Sequence, residues 1–167
     1  RSGGLPAYQQ EMIHNIIDLQ QALAREVMVP RPNIFSIPVN LPLEELLRIV
    51  TEDQHSRIPV YQDSPEHIIG VLYSKDLLKV WQEEQSGRKA GRAREFDLRS
   101  LVRELLVVPE TKPIDQLLQE FQQRRRHMAL VVDEFGSTAG LVTVEDVLEQ
   151  IVGEIEDEYD REIPPGL

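Results

Sequence analysis

The chain carries one pattern twice, and this constrains its folding more than any other feature. Leu43, Leu46, Leu47 and Val60 recur as Ile114, Leu117, Leu118 and Val131 at one offset of 71 residues (46 to 117), and Pro42 recurs as Pro113. One residue is then lost in a turn. Gly70, Asp76 and Leu78 recur as Gly140, Asp146 and Leu148 at an offset of 70 (76 to 146). Apolar matches arise easily by chance, but proline, glycine and aspartate in the same order do not, and a fixed period marks a repeated architecture. A copy of about 55 residues is too small to enclose a core alone, so two copies are expected to pack together.

Local patterns fill in each copy. "LEELLRIV" (43–50) and "IDQLLQEFQQ" (114–123) place apolar residues at helical spacing. "RIPVY", "IIGVLY", "MALVVD" and "AGLVTV" read as strands, with "DSPEH" and "EFGS" as the turns between them. "SKDLLKVWQEE" and "EDVLEQIVGEI" read as closing helices, the first capped by Ser74. Each copy is therefore strand–helix–strand–strand–helix, and the fold class is α/β (α+β). Residues 7–24, with Met12, Ile13, Ile16, Ile17 and Leu23, predict a leading amphipathic helix. "VMVPRPNIFSIPVN" is broken by Pro30, Pro32 and Pro38 and favours extended backbone. The expected organisation is a leading helix (7–24), a first repeat (25–85), a linker (86–98), a second repeat (99–155) and an acidic C-terminal linker (156–167). The linker assignment rests on "SGRKAGRAREFD", which has two glycines, four basic residues and no apolar period.

Composition removes whole classes of function. There is no cysteine, hence no disulfide, thiolate catalysis or cysteine-based metal site. His14, His55, His67 and His127 show no ligand spacing. Acidic residues outnumber basic ones 29 to 18, a net charge of −11, which argues against nucleic acid as a partner. No apolar run approaches the roughly 18 residues that span a bilayer. The chain does not start with Met and shows no signal peptide, so it is expected to be a piece of something longer. There is no P-loop and no paired base and nucleophile, so no enzyme and no catalytic residue is expected. "DEFG" (133–136) matches a kinase metal motif in letters only and reads as a hairpin turn. Glu154, Glu156, Asp157, Glu158 and Asp160 invite a magnesium reading, but neighbouring carboxylates on a helix end splay apart, and no protein metal site is expected.

Thr143-Val144-Glu145-Asp146 leaves two readings open. The spacing is that of a capping box, which stabilises a helix start by about 1 kcal/mol. It is also a hydroxyl and a carboxylate beside unpaired N–H groups, where a ligand with hydroxyls and phosphates can be held.

The doubled unit, with glycine, two apolar residues and a later aspartate at the closing helix, resembles a tandem CBS domain pair, or Bateman module. "REVMVPRPNI", "SRIPVY", "IIGVLYSKDLL", "HMALVVDEFGSTAGLVTVEDVLEQIVGEIEDEYD" and "EMIHNIIDL" more narrowly resemble the cytoplasmic CBS pair of the CorC/HlyC family, bacterial relatives of the cyclin M magnesium transporters. The resemblance implies two intertwined CBS repeats with pseudo-twofold symmetry, and an adenine nucleotide (AMP or ATP) bound between them. Asp146 would then meet the ribose and Thr143 the phosphate side. The proline-rich stretch Val29 to Phe35 and the strand Arg57-Ile58-Pro59 would wall the same cleft. Unpaired backbone there would read the adenine edge beside Asn33 and Ile34, Ile58 would pack on the base, and Arg57 would reach phosphate. Mg²⁺ would ride on the nucleotide phosphates.

The other cleft has Tyr73-Ser74-Lys75-Asp76 in place of the Thr143 motif and Met128 in place of Arg57, which favours one good site. Further implications are a homodimer through Leu77, Leu78, Val147, Leu148 and Ile151, and an upstream transmembrane domain of the same chain. The module would then lie on the cytoplasmic side of a bacterial inner membrane and control Mg²⁺ or Co²⁺ efflux. The alternative is a structural dimerisation module without a ligand.

Overall fold

The computed structural model describes residues 22–89 and 96–162. The leading helix expected over 7–24 lies outside them except for its last residues, as does the middle of the expected linker. Among the described residues no helix is long and apolar enough to cross a membrane.

The chain folds as two compact units, one formed by residues 31–105 and the other by the residues up to Pro30 together with those from Leu106 onward. The first is continuous in sequence. After a 3₁₀ turn (Arg31–Asn33) come β-strand β1 (Ile37–Pro38), helix α1 (Leu43–Asp53), β2 (Arg57–Tyr61), β3 (Ile68–Tyr73), α2 (Ser74–Lys89) and a second 3₁₀ turn (Leu98–Leu101). β1 runs parallel to β2, with α1 as the crossover that a parallel pair needs, and β2 and β3 form an antiparallel hairpin. Beyond β3 the order continues through one bridge, where Arg103 exchanges N–H···O bonds with Val71 (2.9 and 3.0 Å). Ile37, Leu46, Ile58, Val60, Leu72, Leu77 and Leu98 form its core.

The second unit repeats this plan from two separate pieces. The leading piece gives a one-turn helix (Ala24–Val27) and strand βN (Val29–Pro30). The later piece gives β4 (Leu106–Pro109), α3 (Ile114–Arg124), β5 (Met128–Val132), β6 (Thr138–Thr143) and α4 (Val144–Glu162). The sheet order is β4-β5-β6-βN, so βN closes the edge of β6 just as Arg103 closes that of β3. Ala24, Leu117, Phe121, Ala129, Val131, Val142 and Val147 lie in the core.

The repeat extends to small details. α1 and α3 are each preceded by proline, Pro42 and Pro113, whose fixed φ suits a helix start and whose missing N–H costs nothing there. Both helices end on a non-glycine residue in the left-handed region, Gln54 (φ 55°) and Arg125 (φ 52°). Both hairpins carry a register shift, at Val60/Tyr61 and Val131/Val132.

Gly70 and Gly140 are matched because each lies under the closing edge segment. A Cβ on Gly140 would sit 2.6 Å from the Val29 carbonyl oxygen, and one on Gly70 would sit 2.5 Å from that of Arg103. Gly140→Ala should therefore push βN off β6 and destabilise the protein by about 1–3 kcal/mol, read as a lower urea midpoint.

The structure bears on three expectations. Residues 86–89 of the expected linker are helical, because α2 continues to Lys89. Its Gln, Glu, Arg and Lys residues favour helix enough to carry one glycine, Gly87, at about 1 kcal/mol. The acidic stretch from residue 156, expected as a linker, is helical to Glu162, as its glutamates favour. Leu77 and Val147, expected on a dimer face, point into the two cores, while their neighbours Leu78 and Leu148 are exposed. The helical turn of about 100° per residue separates each pair.

Candidate functional site

Thr143 is the last residue of β6, and α4 begins at Val144. The two open readings of this stretch meet in its geometry. The Asp146 N–H donates to Thr143 Oγ1 (3.1 Å), and the Thr143 N–H donates to Asp146 Oδ2 (3.1 Å). This is a reciprocal capping box, and it satisfies two N–H groups at the helix start. It does not exhaust either side chain. The Thr143 hydroxyl is used as an acceptor and keeps its proton to donate. Among the described residues Asp146 Oδ1 takes no hydrogen bond. The cap thus fixes both groups on a rigid element while leaving one donor and one carboxylate oxygen for something else.

That donor set suits a sugar diol better than a bare anion. A carboxylate accepts from two adjacent hydroxyls with charge-assisted hydrogen bonds. Glu145 and Asp146 place two negative charges in the first turn of α4, which opposes the positive helix end. A phosphate held nearby therefore needs a cation from elsewhere. Among the described residues no group of three or more His, Asp or Glu side chains converges for a metal ion.

The other expected site residues lie in the unit formed by residues 31–105, and they divide by direction. On β2, Ile58 and Val60 belong to the core, so the alternation of a strand turns Arg57, Pro59 and Tyr61 to the opposite face, where Pro59 is buried and Arg57 and Tyr61 are half-buried. The Ile58 side chain, expected on the base, is 0% exposed and packed in the core. Asn33 ends the 3₁₀ turn and is exposed, whereas Ile34 is half-buried. The Ile34 N–H closes that turn on the Arg31 carbonyl (3.1 Å), so of its backbone only the carbonyl remains to read a base edge. Arg31 is paired with Glu66 (2.9 Å), and Phe35 stacks on His55 with ring centres 5.4 Å apart.

The equivalent position of the 31–105 unit is built differently. Asp76 is gripped by Arg103 through two parallel hydrogen bonds, Nε to Oδ2 (2.8 Å) and Nη2 to Oδ1 (2.9 Å). The guanidinium lies over the Tyr73 ring, 4.5 Å from its centre. The hydrogen bond with Asp76 holds the Arg103 pKa above its ordinary value, against the smaller opposing effect of burial. Sequence reasoning missed Arg103. The only signal for it was structural: it sits opposite Val71 where Val29 sits opposite Leu141.

Comparison with known proteins finds relatives of the whole fold. The CBS domain family pattern matches residues 24–83 and 96–153. The magnesium and cobalt efflux protein CorC of Escherichia coli K12 is 42% identical over 153 residues, covering 92% of this chain and 50% of that protein. The chain thus spans about half the length of the curated relatives it matches. Among solved structures, the CBS domain of a bacterial CNNM/CorC family Mg²⁺ transporter in complex with ATP is 46% identical with a TM-score of 0.75, covering 87% of this chain and 97% of that one. A CBS-domain pair with bound AMP from Klebsiella pneumoniae is 35% identical with a TM-score of 0.60, covering 79% and 99%.

Proposed function

Because this chain belongs to the CBS domain family, as a tandem pair, we propose that it is a regulatory module that binds an adenine nucleotide, AMP or ATP, at the start of α4. The observation that carries this reading is the Thr143–Asp146 pair, which is locked by its own cap yet keeps one hydroxyl proton and one carboxylate oxygen to offer. Asp146 takes the ribose hydroxyls and Thr143 the phosphate side. Arg57 supplies the cation that the acidic first turn of α4 lacks. Pro59, Asn33 and Ile34 complete the base contacts, and Ile58 is left to the core. Mg²⁺ enters on the nucleotide phosphates rather than through protein ligands. The complexes of related CBS domains with ATP and AMP support this ligand class.

We assign the exposed apolar residues Leu78, Trp81, Leu148 and Val152 to contact with a second copy, a homodimer that sedimentation velocity can test. In the longer protein, a transmembrane domain of the same chain would place the module at the cytoplasmic face of a bacterial inner membrane. Nucleotide binding would then bias Mg²⁺ or Co²⁺ efflux, by as much as its affinity differs between two states, typically 1–3 kcal/mol. The module performs no chemistry of its own.

Calorimetry and thermal melts of the wild type with AMP and ATP, each with and without Mg²⁺, test the reading. Saturation at 100 times Kd should stabilise the fold by about 2.7 kcal/mol. No heat and no shift with either nucleotide would leave a structural dimerisation module. Steady ATP consumption would mean an enzyme.

A further inference from the structure

The repeat places two aspartates at equivalent helix starts, and the molecule uses them differently. Asp146 is tied to its own helix and keeps one oxygen open. Asp76 has both oxygens engaged by Arg103. The cause lies in two exchanges that meet on one carboxylate. Tyr73 stands where Thr143 stands, so the hydroxyl that would cap the helix is gone. Arg103 stands where Val29 stands, opposite the residue that follows the matched glycine. An aliphatic side chain at that place has no hydrogen bond to donate to the acid, whereas a guanidinium has.

We propose that Arg103 is an internal occupant of the Asp76 position, so that each chain takes one nucleotide rather than two. The proposal rests on the Asp146 reading above. Two parallel donors on two carboxylate oxygens are what the vicinal hydroxyls of a ribose would otherwise present, and Arg103 presents them with a positive charge. A neutral diol competes poorly with a charge-assisted bidentate pair. The Tyr73 ring beneath the guanidinium adds a cation–π contact, and the two backbone bonds between Arg103 and Val71 keep the side chain from drifting away. The exclusion is therefore built into the 31–105 unit itself.

The test restores the residues of the other unit. Calorimetry and equilibrium dialysis with AMP and with ATP would compare wild type, Arg103→Val and Tyr73→Thr/Arg103→Val, with a cooperative melt as the check of folding. Wild type should bind one nucleotide per chain and the double variant two. Adding Asp146→Ala to the double variant should leave one, and adding Asp76→Ala as well should leave none. If the double variant does not fold, Arg103→Gln, which keeps a polar side chain but loses the charged fork, should still raise the stoichiometry above one.

Two nucleotides on the wild type would overturn the proposal, and so would a folded double variant that still binds one. A loss of stability without gain of binding would reduce the Arg103–Asp76 pair to a structural brace. A wild type that binds no nucleotide would end the Asp146 reading. The Arg103 proposal would then stand or fall on whether the double variant gains binding that wild type lacks.

Discussion

Asp146→Ala should abolish the thermal stabilisation given by AMP or ATP. At a nucleotide concentration 100 times the wild-type Kd, the lost increment is about 2.7 kcal/mol, or about 5–10 °C in Tm for a chain of this size. The substitution has a second effect that must be separated from the first. Asp146 Oδ2 accepts the Thr143 N–H, so alanine also removes half of the capping box and lowers the stability of the unliganded protein by about 1 kcal/mol. Asp146→Asn separates the two. Its amide oxygen can still accept the Thr143 N–H, so the unliganded melt should hardly move. The carboxylate charge is gone, however, and a hydrogen bond to a neutral acceptor is about half as strong. Nucleotide affinity should fall at least about tenfold, which corresponds to 1.4 kcal/mol. Unchanged affinity in Asp146→Asn, measured by calorimetry, would remove this residue from the site.

Phe121→Ala should produce the largest loss of stability, about 3–5 kcal/mol. Phe121 is 1% exposed and shares its core with Leu117, Val131, Val142 and Val147. Removing the ring forfeits its transfer from water and leaves a void that the rigid sheet behind it cannot close. Against a usual total of 5–15 kcal/mol, that is a large fraction. Phe135→Ala is the matched control. Phe135 is 85% exposed at the β5–β6 turn, which is held by backbone N–H groups donating to Asp133 Oδ1, bonds that the substitution leaves in place. Its urea midpoint should stay within about 0.5 kcal/mol of wild type. Equal effects for the two would contradict the packing described here.

The features that could be read from the sequence are those in which one residue answers a local demand. Proline before α1 and α3, and glycine under the edge segments, each solve a problem of backbone geometry. The two copies therefore kept them at a fixed spacing, and the repeat with its strand and helix order followed. The Thr143–Asp146 box was legible for the same reason. The core position of Ile58 was legible too, since "RIPVY" alternates and its two aliphatic residues share one face. Arg103 was not legible. It meets Asp76 across 27 residues, and the stretch from it to the next strand is shorter than the corresponding stretch after Val29. The linear offset that aligns the rest of the repeat therefore misaligns this residue. The exchange of the edge segments was hidden too, because periodicity tells which face of a strand is buried and not which neighbour it pairs with.

That exchange has a bearing on how the chain is made. Val29 leaves the ribosome well before the β6 edge that receives it, which emerges more than a hundred residues later. The stretch 31–105 meets no such delay and can close on itself as soon as it clears the exit tunnel. The segment 31–105 should thus fold before the unit that flanks it, with residues 24–30 waiting for their partner strand until β6 has emerged.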